Sequence, residues 1–141
     1  MFNSAMQLKD LIKNKSAQTG IPANSLLQNY MMERLLERIS LSPYRKNMIL
    51  KGGFLIAAMV GIDRRSTMDM DTTIKGLTAS REEIENILGR ILSTDVEDNV
   101  TFEIQNIKPI HEVSVYDDFR VSLRGTLYTI RVNTKPLDCV V

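Results

Sequence analysis

Asp69 and Asp71, one residue apart in "MDMDTTI", are the side chains best spaced to hold a cation. In a strand, residues i and i+2 share a face, so the two carboxylates point the same way while Met68 and Met70 point into a core. Adjacent carboxylates repel, and one pKa rises unless a cation lies between them. Hard oxygen donors beside triphosphate oxygens suit Mg²⁺. Upstream, Gly52-Gly53 opens a short apolar segment, Phe54 to Val60, of about two helical turns. A glycine pair at a helix start presents backbone N–H groups at the positive end of the dipole, where they can cradle phosphate. Lys51 adds a charge, Gly61 closes the helix, and "IDRRST" is a donor-rich turn leading into the acidic strand.

Each piece alone has a plainer reading. A lone D-x-D is most often a solvated strand edge, and a lone Gly-Gly a turn. An EF-hand is excluded, because "DMDTTIKG" lacks the third ligand, the glycine position and the closing Glu. The specificity lies in the order: glycine pair, short helix, basic turn and D-x-D strand in one supersecondary unit. Arg64 reads as a solvated turn residue, His111 as a surface histidine and Cys139 as an incidental thiol.

The positioning elements follow from periodicity. Residues 5 to 15 read as a helix with Leu8, Leu11 and Ile12 on one side, and "TGIP" breaks it. A second helix begins near Asn24 or Ser25, either of which can cap it. Its apolar set is Leu26, Leu27, Tyr30, Met31, Met32, Leu35, Leu36 and Ile39; its polar set includes Glu33, Arg34, Glu37 and Arg38. "SLSPYRKN" ends it. Ser80-x-x-Glu83 is a capping box opening a third helix whose apolar face is Ile84, Ile87, Leu88, Ile91 and Leu92. Residues 100–107 and 119–133 alternate as strands do. The expected class is α+β, a single domain with N-terminal helices over 1–45 and a strand-rich core over 46–141.

Composition sets limits. The chain has 141 residues, 43% hydrophobic and 25% charged, as in an ordinary soluble domain. A net charge of +1 makes any nucleic-acid site a local one. One cysteine and one histidine exclude an internal disulfide and a Cys/His zinc site, consistent with the cytoplasm. No apolar run is long enough for a bilayer, and the N-terminus has no signal-type apolar region.

The stretch "ILKGGFLIAAMVGIDRRSTMDMD" resembles the signature of the AbiEii/AbiGii toxin family: Gly52 and Gly53, an apolar helix, Arg65, Thr67, then Asp69 and Asp71. "LLQNYMMERLLERISLSPYRKN" resembles the family's N-terminal helix and "YDDFRVSL" a later strand. The resemblance implies a polymerase-β-like nucleotidyltransferase core, a mixed sheet with helices packed on it, in a bacterial abortive-infection (phage-defence) toxin–antitoxin system. It implies Asp69 and Asp71 as catalytic ligands of Mg²⁺ on an NTP, phosphate contacts from Lys51, Gly52, Gly53 and Arg65, and RNA, in particular the tRNA 3′ end, as acceptor. The wider superfamily has Gly-Ser in the first motif; Phe54 follows Gly53 here, leaving Ser66 or Thr67 to contact phosphate. A cognate antitoxin is the implied partner.

The resemblance also implies a third carboxylate, for which Asp138 is the candidate. Pro136 removes a ladder donor just before it, which predicts an interrupted strand and a frayed end with Asp138 unfixed. Family chains continue into a helical part that carries a lysine, whereas "TIRVNTK" here leads to "PLDCVV". The expectation is therefore a shortened, weakly active or inactive transferase. The alternative is a non-catalytic module that binds an antitoxin, a nucleotide or a second copy of itself through exposed apolar surface.

Overall fold

The computed structural model describes residues 4–51, 70–76, 80–110 and 118–140. Helix α1 (Ala5–Thr19) starts at Ser4, whose hydroxyl accepts from the Gln7 amide. It stops at Gly20, left-handed at φ 75°, whose N–H donates to the Ser16 carbonyl at 2.9 Å. Leu8 and Ile12 are buried, but Leu11, expected beside them, is exposed. Helix α2 (Ala23–Leu41) begins a residue or two early: Pro22 occupies the N-cap with no side-chain bond, so neither Asn24 nor Ser25 caps it. The missing N–H of Pro22 costs the helix nothing there, since the first N–H groups of a helix have no intrahelical acceptor.

The α2 apolar set is buried as expected at Leu26, Met31, Met32, Leu35 and Ile39. Arg38 departs from its expected polar side and is only 2% exposed. Its guanidinium donates to both Asp98 carboxylate oxygens at 2.8 Å, to the Val100 carbonyl at 2.7 Å and to the Arg34 carbonyl at 2.9 Å. It also lies over the Phe102 ring, 4.9 Å from the centroid. A cation enters the interior here because its two terminal nitrogens find four acceptors, among them both oxygens of a carboxylate.

Strand β1 (Met48–Lys51) pairs antiparallel with β2 (Met70–Ile74). Helix α3 (Arg81–Leu92) starts where the capping box predicts, Ser80 accepting from the Glu83 amide at 3.2 Å, and buries Ile84, Ile87, Leu88 and Ile91. Strand β3 (Val100–Pro109) pairs antiparallel with β4 (Phe119–Leu127). The long alternating run at 119–133 is a hairpin, β4 turning through Tyr128 and Thr129 into β5 (Ile130–Asn133). Strand β6 (Leu137–Val140) completes a mixed sheet of order β1-β2-β6-β4-β3, with β5 pairing β4 beyond β6. Only the β2–β6 pair is parallel among the described pairings.

Helices α2 and α3 pack on one face of the sheet, against Ile74, Val121, Leu123, Leu137 and Cys139. A second apolar cluster joins α1 and α2 to Val100, Leu127, Ile130 and Val132. No described helix is long and apolar enough to cross a membrane.

Candidate active site

The opposite sheet face is set by alternation. Thr72 and Ile74 are buried and Asp71 between them and the strand's start is exposed. Leu137 and Cys139 are fully buried, and Asp138 lies between them facing away from the helices. Phe119 and Val121 likewise bracket Arg120. The expected facing of the acidic strand therefore holds for Asp71.

Register then brings charges from four strands into one row. Lys51 on β1 stands opposite Asp71 on β2, Asp71 opposite Asp138 on β6, and Asp138 opposite Arg120 on β4. Neighbouring strands are about 4.8 Å apart, so the two carboxylates are immediate neighbours. Arg120 forks onto Asp138: Nε donates to Oδ1 at 2.9 Å and Nη2 to Oδ2 at 3.1 Å. The Asp138 side chain is 13% exposed and that of Arg120 49%, so the carboxylate is sheltered while the guanidinium borders solvent.

Asp138 does not sit on a frayed end, which corrects the expectation drawn from Pro136. Thr134 N–H donates to the Leu123 carbonyl at 3.0 Å, so residues 134–136 form a bend between β5 and β6 on the same edge of β4. The N–H that Pro136 lacks falls in that bend and not in a ladder. Beyond it β6 is paired on both sides and pinned by Leu137 and Cys139. Burial, with a lesser push from the Asp138 charge, drives the Cys139 thiol up to about 12, so it is inert as a nucleophile.

The other candidates lie outside the described residues: Gly52, Gly53, the apolar segment and Gly61, Arg64, Arg65, Ser66, Thr67 and Asp69, as well as His111. Of Lys51 only the register position is described. No group of three or more potential ligands occurs among the described residues. Asp71 and Asp138 still fit a hard divalent cation, because they offer oxygen donors side by side, and a carboxylate forked by arginine keeps a second lone pair on each oxygen. Two partnerships escaped the sequence reading. Alternation places Arg120 on the open face but cannot say which acid it meets, and nothing in the helical pattern separates Arg38 from its exposed neighbours.

Three described helices against one face of a mixed sheet, with Asp71 and Asp138 on the other, match the nucleotidyltransferase fold. A solved structure from H. pylori, described provisionally as a nucleotidyltransferase, superposes with a TM-score of 0.52 at 17% identity, covering 85% of this chain. The chain spans 46% of that protein's length. The family model for the nucleotidyl transferase AbiEii toxin of type IV toxin–antitoxin systems matches residues 34–137, and the chain belongs to that family. No curated protein matches the chain by sequence.

Proposed function

We propose that the protein transfers a nucleoside monophosphate from an NTP to an RNA hydroxyl, with the tRNA 3′ end as acceptor. The observation that carries the proposal is the register of Asp71 and Asp138 on adjacent central strands, within or next to the span of the family match. In the reaction the acceptor oxygen attacks the α-phosphorus, the bond to pyrophosphate breaks, and the hydroxyl proton is lost. Asp69, Asp71 and Asp138 would hold Mg²⁺, which when bound neutralises triphosphate charge. The Gly52 and Gly53 amides, Lys51, Arg65, Ser66 and Thr67 are the proposed phosphate donors, acting by positioning and electrostatics and forming no covalent enzyme adduct. The family's toxin–antitoxin description supports an antitoxin counterpart; a cytoplasmic role in bacterial phage defence is part of the proposal.

The test is incubation with labelled NTPs, Mg²⁺ and total RNA. Because β6 holds Asp138 in a paired strand, label is expected on RNA in place of the weak or absent activity expected from the sequence. Asp71→Asn or Asp138→Asn should each cut transfer by at least roughly a hundredfold, the scale of misplacing reacting groups by about an ångström. Transfer that is indifferent to both substitutions would exclude this site.

A further inference from the structure

The row Lys51, Asp71, Asp138, Arg120 reads plus, minus, minus, plus across four strands. Like charges directly opposite each other on neighbouring strands destabilise a sheet, so an acid pair at its centre needs compensation. Arg120 supplies it with geometry: both nitrogens of its fork meet both oxygens of Asp138, from the strand on the side away from Asp71. A planar fork of this kind fixes the plane of the carboxylate as well as its charge.

We propose that Arg120 is a positioning residue, whose guanidinium fixes the Asp138 carboxylate beside Asp71 and balances the acid pair, so that a divalent cation binding at the pair does so against its charge. The inference rests on the metal-site reading above and goes beyond it, because it assigns a role to a residue on a fourth strand and gives that role a sign. If Arg120 merely braced the fold, its removal would weaken cation binding or leave it alone. If it balances the pair, its neutralisation tightens cation binding while loosening the geometry that transfer needs.

The sign is read by calorimetric Mn²⁺ titration of the wild type, Arg120→Gln, Arg120→Lys and Asp71→Asn, each checked by circular dichroism. Arg120→Gln is expected to bind Mn²⁺ roughly tenfold more tightly, the effect of removing one charge about 6 Å from a divalent ion at the dielectric of water. Arg120→Lys keeps the charge but not the fork, and is expected to keep the wild-type affinity while losing transfer rate. Should Arg120→Gln not fold, the lysine variant carries the test: wild-type transfer by it would refute a positioning fork. Mn²⁺ binding that Asp71→Asn abolishes and Arg120→Gln leaves unchanged or weakens overturns this inference alone. Absence of Mn²⁺ binding in both wild type and Arg120→Gln overturns it together with the metal-site reading.

Discussion

Arg38 and Asp98 carry opposite charges into an interior where neither is tolerated alone. Burial works to raise the Asp98 carboxyl pKa, but the Arg38 hydrogen bonds, the Val100 amide and the charges of Arg38 and Arg34 outweigh it and hold it below the ordinary range. A carboxyl depressed in the folded state stabilises fully above its unfolded pKa, and that stability is lost as pH falls through the folded value. The wild type is therefore expected to lose stability steeply below about pH 4, where an unfolded aspartate protonates. In Asp98→Asn, denaturant melts across that range should show a shallower acid slope, though from a lower plateau. Arg38→Ala strands the carboxylate and is expected to cost about 3–5 kcal/mol in urea unfolding.

At the scale of elements, the approach of α2 to β4 depends on a missing side chain. A Cβ placed on Gly125 would lie 2.6 Å from Met31 Sδ and 3.1 Å from Phe102 Cε1. Met31 is fully buried, so it has little room to withdraw. Gly125→Ala is expected to lower stability by about 1–2 kcal/mol, moderated by the flexibility of methionine. Thermal melts of the variant, with Gly89→Ala as the comparison, check it: nothing lies within 4 Å of a Cβ at Gly89, in mid-α3, so that change should be neutral or stabilising. The β4–β5 turn also stores some strain, with Tyr128 at φ 52°.

Across the whole molecule, β6 is the strand on which sheet and site both depend. It joins the β1–β2 pair to the β3–β4–β5 half, and its inward residues fill the core while its outward Asp138 completes the acid pair. Cys139 thus reports on global unfolding. Its reaction with iodoacetamide at pH 8 is expected to be at least about a thousandfold slower than in the unfolded chain, the protection that a stability of about 5 kcal/mol confers. With added urea the rate should rise in step with loss of ellipticity. Fast labelling of the folded protein would mean that β6 opens locally, and that Asp138 is not held as drawn.

The three described helices, most of their apolar faces (Leu11 excepted) and the α+β class were legible in the sequence, because an amphipathic period and a Ser-x-x-Glu cap are local properties. So was the facing of Asp71, since alternation along a strand needs no partner. The place of β6 was not. Pro136 and a four-residue strand carry a weak local signal, and pairing on both edges comes only from β2 and β4, which are distant in sequence. Nor could periodicity reveal that Arg38 turns inward to Asp98 or that Arg120 forks onto Asp138, 60 and 18 residues away. A charge's face follows from its neighbours in the chain, but its partner is set by strand order and register, which only the folded sheet determines.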